Sequence, residues 1–217
     1  FRIWSTAENL DDFLEGLQFF DVGSQNWSYS DIEGNIGYFT SAEMPIREDL
    51  QAGNVDVARL PIFLRDGTGG NEWLPVENPQ PGQALPYEIL PMDEMPQIVN
   101  PDYYVNANND PAGVTLDNNP FGNVRPGGGI YYLSYSYAIG TRAGRITQAL
   151  EDKLAEGPVS FGDMQEIQAD VKLLDAEVFE EGREGGFRAG GGEGFFPVGE
   201  QLDGSEGRTR GRGEKSA

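Results

Sequence analysis

Gln25-Asn26-Trp27-Ser28-Tyr29-Ser30-Asp31-Ile32-Glu33-Gly34-Asn35-Ile36-Gly37-Tyr38-Phe39-Thr40 carries the clearest fold signal in the chain. Asn26 to Ser30 begins an alternating strand pattern, Asp31 to Asn35 reads as a tight turn, and Ile36 to Thr40 returns as the partner strand. Working upstream, Ser5 with Glu8 fits a capping box. Leu10, Phe13, Leu14 and Leu17 recur at helical spacing, with Asp11, Asp12 and Glu15 on the polar face. A helix followed by a β-hairpin is therefore expected at the start of the chain.

Working downstream, the pattern loosens. Pro45, Pro61, Pro75, Pro79, Pro81, Pro86, Pro91, Pro96 and Pro101, with Gly67, Gly69 and Gly70, forbid long helices and leave short strands and extended connections. Residues 100–123 are dominated by asparagine and turn formers, including Asn108-Asn109-Asp110-Pro111 and Asp117-Asn118-Asn119-Pro120. Two helices follow. Ile139, Ala143, Ile146, Leu150 and Leu154 form one apolar stripe that stops near Gly157-Pro158. Ser160 with Asp163 caps the next, whose stripe is Met164, Ile167, Val171, Leu174 and Val178. The order predicts an α+β fold, with helices packed on an antiparallel sheet.

Composition sets further bounds. The chain has 217 residues, 36 acidic and 15 basic, a net charge of −21, and neither histidine nor cysteine. Disulfides, thiol nucleophiles, His-containing triads and His-ligated zinc sites are excluded within it. The acidic excess argues against a nucleic-acid partner. No run approaches the roughly 20 apolar residues of a membrane-spanning helix. Phe1 stands at the start with no signal-like segment ahead of it, so a processed chain or a fragment is expected. Residues 1–180 hold 29 acidic and 9 basic residues. Residues 181–217 hold 7 and 6, with 12 glycines, and read as a disordered or non-native tail beyond a domain of residues 1–180. Only Lys153, Lys172 and Lys215 are lysines. A dense acidic surface poor in lysine suits a halophilic, high-salt setting, with an ordinary acidic protein as the alternative.

On the residues alone, no chemistry stands out. With so many acids, paired carboxylates arise by chance. The Asn108–Asp110 and Asp117-Asn118 clusters lack EF-hand spacing and read as turns. Tyr131, Tyr132, Tyr135 and Tyr137 read as core, and Arg142 and Arg145 as surface ion pairing.

Three blocks taken together change this. The hairpin above with Pro45-Ile46-Arg47 resembles the Asn-Trp-x-Tyr-Ala-Asp-x-x-Gly-Asn-Ile-Gly-Tyr hairpin and Pro-x-Arg of the penicillin acylase family. Asn100-Pro101 followed by Asn106-Ala107-Asn108-Asn109-Asp110-Pro111 is similar to that family's Asn-Pro and Ala-Asn-x-Asn-Asn-x-Pro. Thr141-Arg142-Ala143-Gly144-Arg145-Ile146, with the helix at 164–170, is similar to its Arg-bearing helix and the one after it. The resemblance covers about residues 3–180.

It implies a partial N-terminal-nucleophile hydrolase fold, an αββα layered sandwich. The implied nucleophile is a serine exposed at the start of a β chain, whose own α-amino group acts through water as the base. Such chemistry needs no histidine. Family members hydrolyse the side-chain amide of penicillins, cephalosporins or acyl-homoserine lactones. The resemblance places the oxyanion-hole asparagine on Asn108, whose N–H donors suit a developing negative charge. It places on Arg142 the arginine that orients the serine's amino group and the substrate's polar end. Arg145 is left as a solvated or structural neighbour. No cofactor is required. The family's calcium-binding aspartate has Asp117 as a displaced counterpart, which makes calcium a candidate structural ion.

Departures fall at Ser30 and Glu43. Ser5 and Thr6 stand downstream of the family's nucleophile position. The chain is therefore expected to be the middle of a β chain, inactive alone, with an α chain, the rest of the β chain and a small-molecule amide as partners. The alternative is a catalytically dead acidic remnant. Relatives are commonly exported, and any signal would lie upstream.

Overall fold

The computed structural model describes residues 1–21, 23–56, 60–177 and 179–180. Its elements are α1 (Leu10–Leu17), β1 (Gln25–Ser30), β2 (Ile36–Ser41), α2 (Glu48–Gln51), β3 (Gln97–Val99), α3 (Thr141–Glu156) and α4 (Phe161–Ala169). The chain divides into two units, Phe1–Leu173 and Leu174–Ala217. In the second, residues 174–177 and 179–180 are helical, and the expected tail at 181–217 lies outside the described residues.

The hairpin forms as its pattern requires. β1 and β2 are antiparallel, from Gln25 opposite Ser41 to Ser30 opposite Ile36, and β3 pairs antiparallel with the other edge of β2. Asp31 builds the turn. Its carboxylate accepts the N–H groups of Glu33 and Asn35, the Asn35 side-chain amide and the Tyr29 hydroxyl. Gly34 closes the turn at φ 90°, a conformation open to glycine at little cost. The Asn35 side-chain hydrogen bond, more than any other contact, holds the Asp31 carboxyl below its ordinary range.

Because strand side chains alternate, one face of the hairpin carries Trp27, Tyr29 and Phe39 and the other Asn26 and Tyr38. α1 covers the first. Phe13 lies 5.2 Å from Tyr29 and 6.1 Å from Phe39, ring centre to ring centre, and the Ser41 hydroxyl donates to the Leu17 carbonyl at 2.8 Å. Phe39 and Leu17 are fully buried there. The expected Ser5–Glu8 cap is corrected. Ser5 lies in a 3-10 turn at Trp4–Thr6 and donates to the Phe1 carbonyl, while Asn9 caps α1 by accepting the Asp12 N–H. A true cap must sit one residue before the first helical turn, and that residue is Asn9.

The proline-rich stretch folds without long elements. Residues near 45, 74 and 88 are laced by backbone bonds: Ile46 N–H to Glu88, Glu88 N–H to Leu74, and Leu74 N–H to Ile46. Ile46, Leu90 and Met95 form a small core with Met44, Leu74, Tyr131 and Leu133 packed against it. Glu43 is buried, its carboxylate accepting the N–H groups of Ala84 and Leu85. Arg125 and Glu94 form a buried ion pair at 2.8 Å, and Arg125 also donates to Gln51 on α2.

α3 and α4 pack as a helical hairpin across Gly157. The capping box of Ser160 and Asp163 forms as expected. Two boundaries differ. Ile139 precedes α3 and is exposed. α4 stops at Ala169, because Asp170 turns extended (ψ 127°) and its carboxylate accepts the Lys172 N–H and the Arg145 guanidinium; Val171 is consequently exposed. Arg145 thus has the structural ion-pairing role expected of it. Of the tyrosine run, Tyr131, Tyr132 and Tyr137 are partly buried and Tyr135 is exposed. Together these elements make a partial α+β fold around a three-stranded antiparallel sheet.

Candidate functional site

The asparagine-rich loop and the first turn of α3 meet. Arg142 lies one residue into α3, and its Nη2 donates both to the Ala107 backbone carbonyl and, at 2.5 Å, to Asn108 Oδ1. The two sequence-predicted residues are therefore brought together across 34 positions of chain. A guanidinium has no acceptor, so the Asn108 atom that faces it is the carbonyl oxygen. That contact turns the amide NH2 group of Asn108 away from Arg142. Among the described residues none accepts a hydrogen bond from it.

The backbone around Asn108 is held from several sides. Asn108 adopts φ 58°, a left-handed conformation that asparagine tolerates better than most residues. Its N–H donates to Asn106 Oδ1 at 3.3 Å, and its carbonyl accepts the Ala138 N–H at 2.9 Å. Ala107 is buried, and its N–H donates to Asn109 Oδ1. Asp110 ties down the following turn, accepting from Ala112, Gly113 and both the N–H and hydroxyl of Thr115. Asn108 itself is exposed. A side-chain donor thus stands at the surface on a backbone fixed by its neighbours.

Aromatic residues adjoin this region. Tyr38 packs against Tyr104 at 5.8 Å, and burial pushes its hydroxyl up to about 12. Burial also raises Tyr137, with the Asp110 charge adding to the effect. Farther along, Arg47 lies 5.5 Å from the Tyr132 ring centre, and burial lowers its guanidinium below the ordinary value. No motif pointed to that contact, although Arg47 stands in one of the resembling blocks.

Asp117 holds a turn. Its Oδ1 accepts the Asn119 N–H at 2.8 Å, an ordinary Asx turn. Calcium takes about 6–8 oxygen ligands. Among the described residues no three His, Cys, Asp or Glu side chains converge on a common point.

The penicillin amidase family model matches residues 2–185. In structure the chain is similar to a thermostable penicillin G acylase from Alcaligenes faecalis, with a TM-score of 0.58 and 22% sequence identity. The likeness covers 89% of this chain and 28% of that one. It concerns the fold, and this chain spans little more than a quarter of that protein's length. No described helix is long and apolar enough to cross a membrane.

Proposed function

The chain belongs to the penicillin amidase family, and we propose that it supplies one wall of an amide-hydrolysing site whose serine nucleophile lies outside it. In this reading Asn108 Nδ2 donates to the oxyanion formed when that serine attacks the amide carbonyl. Arg142 holds the Asn108 amide in the donating orientation and presents positive charge beside it. A guanidinium drawing on Oδ1 also polarises the amide, which makes its N–H groups stronger donors. The observation that carries the reading is the hydrogen bond from Arg142 to Asn108 Oδ1, because it decides which end of the amide is presented.

The substrates in view are small molecules with an acyl side-chain amide, of the penicillin, cephalosporin or acyl-homoserine lactone kind. The partners in view are the remaining segments of the enzyme, an α chain and the rest of the β chain. The test compares hydrolysis of a chromogenic acyl anilide by this chain alone and by the complete protein that carries it. Activity confined to the complete protein supports the proposal. Hydrolysis by the isolated chain would put the nucleophile inside it and overturn that assignment.

A further inference from the structure

A directional run of amides reaches Asn108 from the hairpin. The Tyr38 hydroxyl donates to Asn26 Oδ1 at 2.9 Å. With its oxygen so engaged, Asn26 presents its NH2 group to Asn106 Oδ1 at 3.3 Å. That same oxygen accepts the backbone N–H of Asn108, also at 3.3 Å. The Asn108 N–H can only donate, so Asn106 must present Oδ1 to it and Asn26 its NH2 group to that oxygen, which leaves the Asn26 oxygen to accept from Tyr38. Asn26 sits inside β1, opposite Thr40 of β2, and is therefore carried by the most regular element of the chain. The Tyr38 ring packs on Tyr104, two residues before Asn106, so the loop is registered against the hairpin by a second contact. Asn108 needs such support, since its left-handed backbone is less favoured than the extended or helical alternatives.

We propose that Asn26 and Asn106, with Tyr38 anchoring Asn26 to the hairpin, are positioning residues that set where Asn108 presents its donor. The proposal rests on the reading of Asn108 as the oxyanion donor. None of the three touches substrate in this account. They act through the backbone of Asn108, as Arg142 acts through its side chain. An oriented donor loses much of its value when displaced, and about 1 Å of misplacement can cost roughly 10²-fold in rate.

The test uses the complete protein and steady-state hydrolysis of a chromogenic acyl anilide. Asn26→Asp still accepts from Tyr38 but cannot donate to Asn106. It is expected to lower kcat about 10-fold or more while KM moves less than about twofold, because the transition state is affected and substrate binding is not. Tyr38→Phe, which keeps the ring packing, guards against a variant that fails to fold and is expected to lower kcat severalfold. Each change, placed on an Asn108→Ala background, is expected to cost less than about a further twofold, since the group being positioned is gone. Equal losses in both backgrounds, or no loss in folded single variants while Asn108→Ala is impaired, would overturn the proposal and leave the role of Asn108 standing. Wild-type turnover by Asn108→Ala would remove both.

Discussion

The Arg142 guanidinium donates at 2.5 Å to the side-chain oxygen of Asn108, a residue 34 positions earlier in the chain. Two consequences follow from elementary hydrogen-bond chemistry. The amide cannot turn over without placing its NH2 against a cation that only donates, and the Ala107 carbonyl accepts a hydrogen bond from the same nitrogen. A loop residue thereby acquires a defined orientation from the first turn of a helix.

Arg142→Leu removes both bonds and frees the amide to rotate. A hydrogen bond from a charged group contributes about 1.5–3 kcal/mol, so kcat/KM of the complete protein is expected to fall about 10- to 100-fold. Arg142→Lys keeps the charge but not the planar fork, and should recover part of the loss. Turnover unaffected by Arg142→Leu would detach Arg142 from the site.

Arg125 and Glu94 make a structural prediction of a different kind. Their side chains are 7% and 8% exposed and 2.8 Å apart, and Glu94 also accepts the Gly127 N–H. Removing one partner leaves the other charged and buried. Arg125→Ala is therefore expected to destabilise by about 3–5 kcal/mol, read from the urea midpoint. Joint replacement by Arg125→Met and Glu94→Gln should cost clearly less. Equal costs would show that the pair's burial is not what matters.

The Asp31 turn predicts acid sensitivity with a definite sign. The folded state holds this carboxyl below its ordinary value, so folding favours the ionised form. Its contribution is complete above the unfolded pKa, near 4, and is lost as pH falls through the lower folded value. Asp163 and Asp170 are shifted the same way by their hydrogen bonds, to Ser160 and Arg145 first. Circular dichroism on acidification should show structure lost below about pH 4. Asp31→Ala should be less stable at neutral pH and should lose less on acidification. A variant with the wild-type acid profile would contradict the turn's role.

The hairpin was legible because its turn chemistry and alternation are local, and so was the Ser160–Asp163 cap, which needs only four residues. Errors arose where a local signal met a competing contact. Ser5 looked like a cap but lies in a 3-10 turn, and the apolar stripe through Val171 ran past the point where Asp170 leaves the helix to bond Arg145 and Lys172. Asn108 and Arg142 entered as candidates through resemblance alone, and no spacing rule could have joined residues 34 apart. Asn26 and Asn106 lie within the resembling blocks, yet their link depends on the register of the sheet against the loop. The buried Arg125–Glu94 pair carried no sequence signal, since one arginine among 36 acids has many formal partners.

The net charge of −21 leads to a salt prediction. Screening shortens from about 10 Å at 0.1 M salt to about 3 Å at 1 M, which weakens self-repulsion of an acidic surface. A halophilic reading expects the thermal midpoint to climb steadily between about 0.1 M and 1 M sodium chloride. A flat or falling midpoint would leave an ordinary acidic protein.

The central claim is that Asn108 donates to charge that develops only in the transition state. The most direct measurement is kcat and KM for acyl anilide hydrolysis by the complete protein carrying Asn108→Ala, with correct chain processing checked by mass spectrometry. The account predicts normal processing, nearly unchanged KM, and kcat reduced about 10²- to 10³-fold, the usual cost of one oxyanion donor. Wild-type kcat in the processed variant would contradict it.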